Sequence, residues 1–504
     1  MSTKPSNRKT ALSGVLGPRE VQTSSQLIKS IAALGYRHPR KVLERHFRSK
    51  DFWRSEQFVL PAKARLFAHR TFLGDGAFLD AVEPLIRKSR PGIARVLHAM
   101  KKFEAIDCNT VKKLTAVKLD KKSGGEKYTN EISAISEISI GNVLSVGAHS
   151  ILARLKYSVS DVEALIKLSN ELEADSEIAR QFLSLLIKHY RQQSIIAWNT
   201  PEPGDDILFN GQLFSAVAYT HLRPLVRYQG TKRIACPVLF EVLARSAESF
   251  DVEGFIERLR RAGDHTRSKL RLLGVMGATS LSPDALKLGK NHGLVMVNFR
   301  ELFGETAVKM IQQARELLLS LSARRDEANA QDPNALADQM VTSISSLKSN
   351  PMVNELCGMA LEIFTVAVLR SRNYEDVKAR LTVPFSTNRE NTVREIDASG
   401  HNDDVHYIVE CKALKADKEL KLDQIKKFFC ETVPSYLKFI GKAEISKCHA
   451  EIWTTGKVTP EASAYLNSLN LDRRVKRGIL ARQDIKIPKN IASLSRILEV
   501  IADC

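Results

Sequence analysis

Two carboxylates and one ammonium group stand at a spacing that can do chemistry. Arg394-Glu395-Ile396-Asp397 ends one strand-like run, a polar turn follows, and Tyr407-Ile408-Val409-Glu410-Cys411-Lys412 closes a second. Side chains alternate along a strand, so Glu410 and Lys412 share a face while Cys411 turns to the other. The side carrying Val405, Tyr407, Val409 and Cys411 is apolar and predicts a helix packed on it. Pairing of the two runs as a hairpin sets Asp397 near Glu410 across the ladder. Oxygen ligands of this kind suit Mg²⁺ (or Mn²⁺), since Mg²⁺ takes one or two carboxylates and keeps several waters. A bound cation polarises a phosphoryl oxygen and lowers the pKa of its water. Lys412 can orient that water, deprotonate it, or neutralise charge that builds on phosphorus. The expected chemistry is metal-assisted cleavage of a phosphodiester.

The elements that must position these residues form a helix–strand pattern beyond Lys348-Ser349-Asn350-Pro351. The spacing predicts a helix over 354–371 and strands over 377–383, 392–398 and 405–413. A helix over 421–437, a strand over 450–455 and a helix over 460–469 follow. Helices interleaved with a short sheet imply an α/β domain covering residues 351–504.

This segment resembles the PD-(D/E)xK nuclease superfamily, most closely the Mrr-like restriction endonucleases. The resemblance rests on five pieces in order. They are Gly358-x-x-x-Glu362 with Ala367 and Leu369, then Glu395-Ile396-Asp397, and then Ile408-Val409-Glu410-Cys411-Lys412. Asp423-Gln424-Ile425-Lys426-Lys427-Phe428 and the stretch from Trp453 to Ala462 complete the set. It implies a restriction-endonuclease-like fold, a small mixed sheet flanked by helices. It also implies catalytic roles for Asp397, Glu410, Lys412, Glu362 and Gln424, with Asp397, Glu410 and Glu362 as metal ligands. An insertion relative to the family is expected around Ser386 to Asn391. Restriction or defence-type cleavage of double-stranded DNA would follow, with a homodimer to cut both strands.

The rest of the chain reads differently. Of 504 residues, 76 are Lys or Arg and 57 are Asp or Glu, a net charge of +19. From Pro351 onward 24 basic residues face 21 acidic ones, so residues 1–350 carry nearly all the surplus. Such a surplus favours a polyanionic partner. Basic residues cluster at 37–50 and 258–271, and Arg40, Lys41, Arg45, Arg258, Arg261 and Lys415 are candidates for phosphate contacts. Solvated helix faces would look the same. The spacing predicts a mainly α region over 25–348, in one or two subdomains, after a disordered tail over 1–24, and the resemblance implies that this region binds the target or senses a trigger. Helices are expected from Ser160, over 174–189, over 298–324 and over 334–347.

Seven cysteines without a CxxC pair argue against a zinc site or a disulfide framework and for a reducing, cytoplasmic setting. No apolar run approaches the roughly 20 residues that cross a bilayer. Two rival functions remain open at this level: a catalytically inactive nucleic-acid-binding protein that keeps a nuclease fold, and an RNA-directed nuclease. A third makes the N-terminal region a protein-interaction platform.

Overall fold

The computed structural model describes residues 14–46, 51–60, 63–73, 76–119, 124–138, 141–146, 149–154, 157–158, 160–200, 206–223, 225–229, 231–264, 271–322, 332–386, 391–403, 405–441 and 446–504. The chain is mixed α/β. The mainly helical N-terminal region expected from the sequence is instead threaded by strands. Residues 21–23, 52–59 and 65–69 form a three-stranded sheet, and residues 105–107, 142–146 and 149–153 form another.

A long helix α1 (Val162–Gln192) follows. Then comes a four-stranded sheet made of β1 (Ala216–Thr220), β2 (Cys236–Ala247), β3 (Leu273–Leu281) and β4 (Val295–Asn298). β2, β3 and β4 run parallel, and β1 pairs antiparallel at the edge. The helices Ser249–Asp264 and Pro283–Asn291 make the crossovers. Central parallel strands are covered on both faces and therefore read as continuous apolar runs rather than alternating ones. Cys236-Pro237-Val238-Leu239-Phe240 is such a run, and all five residues are buried.

Helices α2 (Glu305–Ser322), α3 (Pro333–Ser346) and α4 (Val353–Ser371) lead into a five-stranded sheet. Its order is β5 (Glu375–Ser386), β6 (Asn391–Asn402), β7 (Val405–Lys412), β8 (Lys447–Thr454) and β9 (Val475–Ala481). The first three strands are antiparallel, and β7, β8 and β9 are parallel. The predicted helix and strands of this half agree with the observed ones to within a few residues. A last strand (β9) and the terminal helix α5 (Ser495–Asp503) were not anticipated. The predicted helix over 421–437 is observed as a continuous helical run over 422–440 with a π-helical turn at Phe428–Thr432. The insertion expected around Ser386 to Asn391 falls largely on residues 387–390, which lie outside the described residues.

A boundary was expected near Pro351, but the buried side chains do not divide there. One continuous core runs from Ile178 and Phe182 on α1 through Ile311, Met340 and Phe364 to Val409 and Ile501. The reason is that α1 lies antiparallel along α4. Arg370 Nη2 reaches Glu173 Oε1 at 2.8 Å, Gln181 Nε2 reaches Glu362 Oε2 at 3.3 Å, and Gln192 Nε2 reaches Glu355 Oε1 at 3.1 Å. The tail expected over 1–24 is also ordered at its end. Leu16 is buried, and Val21–Thr23 pair with residues 66–68. Residues 1–13 lie outside the described set.

Arg258 corrects a second expectation. Its side chain is 3 % exposed and its guanidinium donates to Glu241 Oε2 at 2.8 Å. Glu241 also takes Lys113 Nζ at 3.1 Å, and Lys113 reaches Asp206 Oδ1 at 2.7 Å. These four charges tie the helix Cys108–Thr115 to the parallel sheet, so Arg258 is structural and has no access to phosphate. Arg261 remains 39 % exposed, with its Nε donating to Glu257 at 2.6 Å and its Nη1 to the Ala116 carbonyl. Removing one member of a buried pair strands the other charge. Arg258→Ala should therefore lower unfolding free energy by about 3–5 kcal/mol in urea titrations, whereas Arg40→Ala, on an exposed helix face, should change it by less than about 0.5 kcal/mol.

Candidate functional site

The β6–β7 ladder runs from Asn402↔Val405 to Ala398↔Val409 and stops. The next pair in that register is Asp397 with Glu410. β7 nevertheless stays paired with β8 as far as Lys412↔Thr454. The two strands therefore fork at Asp397 and Glu410. The Asp397 carboxylate closes the gap: its Oδ2 accepts the Cys411 N–H at 2.6 Å. A backbone donor that lost its ladder partner thus receives a charged one, a stronger hydrogen bond than the one it replaces.

Glu410 and Lys412 share a face, as alternation requires, and meet at 2.5 Å between Oε1 and Nζ. Lys412 Nζ also donates to the Cys411 carbonyl at 3.2 Å. Both side chains keep about a fifth of their surface open, 19 % and 21 % respectively. Burial and the adjacent Glu410 carboxylate raise the pKa of Asp397 well above its ordinary value, and Lys412 only partly opposes this. Burial alone would lower the Lys412 pKa, but Glu410 and Asp397 overcome it and hold the amine as ammonium.

The opposite face of β7 packs as expected. Tyr407, Val409 and Cys411 lie in the core with α4, where Thr365 Oγ1 meets Cys411 Sγ at 3.2 Å. His406 is structural, with Nδ1 2.7 Å from the Tyr436 hydroxyl.

Glu362 arrives on α4 but is not left free for a cation. Arg380 on β5 grips it in bidentate fashion, with Nε to Oε2 at 2.7 Å and Nη2 to Oε1 at 2.8 Å. The same guanidinium donates to Ser184 Oγ of α1 at 2.6 Å and lies 3.3 Å from Glu395 Oε1. Arg380 is 4 % exposed at its side chain. The β5–β6 ladder pairs Ala379↔Ala398 and Leu381↔Ile396 and omits Arg380, the residue opposite Asp397. Arg380 has φ +52°, a left-handed conformation that costs a bulky residue about 1–3 kcal/mol and persists only when its surroundings hold it. Across this step the apolar side chains change sides. Ala379 and Ala398 belong to the core under α4, whereas Leu381, Val383 and Ile396 pack with Phe428 and Tyr436.

The structure thus brings Asp397, Glu410 and Lys412 together, with Glu362 close enough to act on Asp397 electrostatically while committed to Arg380. Gln424 works locally: its Oε1 accepts the Lys421 N–H at 3.2 Å at the start of the helix Leu422–Lys427. Arg40, Lys41 and Arg45 are exposed on the helix Pro39–His46, and Lys415 is exposed just beyond the site strand. Sequence reasoning missed Arg380, Ser184 and Gln181. Local pattern did not mark them: Arg380 sits on the polar face of the alternating run Val377-Lys378-Ala379-Arg380-Leu381-Thr382-Val383, and Gln181 and Ser184 lie among the polar positions of 177–184.

Among the described residues no group of three or more His, Cys, Asp or Glu side chains is arranged to hold a metal ion. The donor set present is the pair Asp397 and Glu410. Two carboxylates forced together out of water suit Mg²⁺, which needs no all-protein cage. Glu362, with both oxygens on Arg380, does not belong to that set.

Truncating Arg380 leaves a carboxylate buried without its counter-charge. Arg380→Ala should cost about 3–5 kcal/mol in chemical denaturation, and the double variant Arg380→Met/Glu362→Leu should recover much of it. Ser184→Ala removes one hydrogen bond to a charged group and should cost about 1.5–3 kcal/mol.

No family model matches the chain, and no curated protein does. Among solved structures, the crystal structure of protein VC1899 from Vibrio cholerae aligns with 50 % of this chain and 82 % of its own, at 9 % identity and a TM-score of 0.20.

Proposed function

We propose that the chain is a metal-dependent endonuclease that hydrolyses DNA phosphodiester bonds, with its chemistry at the fork between β6 and β7. One observation supports this reading above the others: Asp397, Glu410 and Lys412 converge where the β6–β7 ladder ends. Asp397 caps the Cys411 N–H, but that task does not call for Glu410 and Lys412 beside it. Burying charges this closely costs several kcal/mol unless something repays it.

In this reading Asp397 and Glu410 hold Mg²⁺ or Mn²⁺, which when bound polarises the phosphoryl oxygen and activates a water. Asp397 is held in place by its bond to the Cys411 N–H. Glu410 is oriented by Lys412. Lys412 donates to the oxygens of the reacting phosphate, where negative charge grows in the transition state. Arg380 and Glu362 keep β5 and α4 fixed behind Asp397 without touching substrate. The likeness of residues 351–504 to the Mrr-like endonucleases adds a restriction or defence-type role, and the basic surplus of residues 1–350 supports binding of the polyanionic target.

The test is cleavage of plasmid DNA with Mg²⁺, with Mn²⁺ and with EDTA. Wild type should cut only with a metal. Asp397→Asn and Lys412→Ala should each slow cutting by at least about a hundredfold, with circular dichroism showing that each variant is folded at the assay temperature. If wild type leaves DNA intact with either metal, the DNA endonuclease reading fails.

A further inference from the structure

We infer that a lysine ridge beside this site is a track for the sugar–phosphate backbone of duplex DNA, so that the natural substrate is an extended polymer rather than a small phosphodiester. The inference rests on the nuclease reading for its biological sense but on separate residues for its geometry.

Beyond Lys412 the chain runs through residues 413–421 at the same sheet end as Glu410. Lys415, Lys418 and Lys421 are all exposed there, and Lys457 is exposed on the adjoining segment after β8. Among the described residues Lys415, Lys421 and Lys457 make no ion pair, and Lys418 has only Asp417 at 4.0 Å. Residues 412–427 together with Lys457 hold seven lysines against three acids, Asp417, Glu419 and Asp423. The one lysine with a visible partner on the helix side is Lys426, which lies over the Tyr465 ring.

A charge run is usually a loose solvated face, but this one is built. The Lys457 N–H donates to the Lys418 carbonyl at 2.8 Å, and the Leu420 N–H donates to the Lys457 carbonyl at 3.0 Å. Thr455 Oγ1 bonds both the Leu414 N–H, at 2.9 Å, and the Leu414 carbonyl, at 2.6 Å. The Ala416 N–H is held by the Ala502 carbonyl at 2.9 Å, so the terminal helix pins the loop from below. The two segments approach so closely that a Cβ at Gly456 would stand 2.6 Å from the Lys418 carbonyl oxygen. Fixed backbone with free ammonium tips is the arrangement that matches a rigid polyanion, since little loop entropy is lost on binding. Phosphate contacts of this kind set position and register and carry no sequence information.

The experiment compares wild type, the triple variant Lys415→Ala/Lys418→Ala/Lys457→Ala, and a control that removes the exposed Lys287, Lys290 and Lys309 elsewhere. Binding of a fluorescent DNA duplex is followed by anisotropy in EDTA from 50 to 200 mM salt, with an RNA duplex as a second arm. Thermal unfolding confirms that each variant is folded. The ridge variant should bind the DNA duplex at least about tenfold more weakly, with its salt slope smaller by about 2–3, and the control should behave as wild type. Hydrolysis of bis-p-nitrophenyl phosphate with Mn²⁺ should be equal in the ridge variant and wild type. An unchanged slope in the ridge variant, an equal loss in the control, or a loss confined to RNA overturns the ridge. Failure of wild type to cut DNA would overturn the nuclease reading instead, and the binding comparison would still decide the ridge.

Discussion

The bidentate pair between Arg380 and Glu362 is the constraint on which the site depends. It joins three elements from distant parts of the chain: β5 supplies the guanidinium, α4 the carboxylate, and α1 the Ser184 hydroxyl and the Gln181 amide. Guanidinium and carboxylate are both nearly solvent-free, so neither tolerates displacement of the other. The strained backbone of Arg380, at φ +52°, is held by these bonds. That strain is where β5 drops out of the ladder opposite Asp397, and where the sheet exchanges one core for the other. Asp397 is in turn released from regular pairing and becomes the cap of the Cys411 N–H. A buried ion pair adds little to net stability compared with apolar residues of the same shape. Its value here is geometric, because it specifies one arrangement of three elements.

This arrangement explains why the two halves of the chain share a core. The five-stranded sheet standing alone would have to cover the outer face of α4 with its own residues. Here α1 covers it, and the polar bonds at 173–370, 181–362 and 192–355 fix the register of the two helices over nearly their whole contact. A displacement of α1 along its axis would break the Ser184 and Gln181 bonds together. The part of the chain that carries the positive surplus is therefore mechanically linked to the part that carries the carboxylates.

Much of the C-terminal half was legible in the sequence because its strands alternate. Val405, Tyr407, Val409 and Cys411 mark one face, and the structure packs that face on α4. The polar turn between Asp397 and Val405 fixed the hairpin, and hence the meeting of Asp397 with Glu410 followed from register alone. Glu362 entered as a site residue through the nuclease resemblance, and it stands as a charged side chain among Leu361, Ile363 and Phe364. Its partner proved to be Arg380, and nothing in local spacing connects positions 18 residues apart on a helix and a kinked strand. The N-terminal half was misread for a different physical reason. Cys236–Phe240 and 273–278 are apolar on both faces, as buried parallel strands are, and periodicity cannot separate such runs from helix. The β-branched and aromatic content of those runs was the usable signal. Arg258 shows the complementary error: a basic run on a helix was read as surface, although its partner Glu241 lies in the middle of a buried strand.

The same reasoning separates charges that hold the fold from charges that are available. Arg258 and Arg380 are buried against carboxylates, and the partly buried Lys113 and Arg245 are paired with them as well. Positive charge in the sequence is thus partly consumed internally, and the net surplus says little about where a polyanion would lie. What distinguishes an available charge is exposure on a backbone that cannot move. Arg40 and Lys41 meet the first condition on a short helix, whereas Lys415, Lys418 and Lys457 meet both, beside the only described place where Asp397, Glu410 and Lys412 converge. Electrostatic attraction spread over residues 1–350 would raise encounter rates without orienting the target. Orientation requires fixed contacts, and the backbone hydrogen bonds between residues 414–420 and 455–457 supply a fixed frame for these lysines.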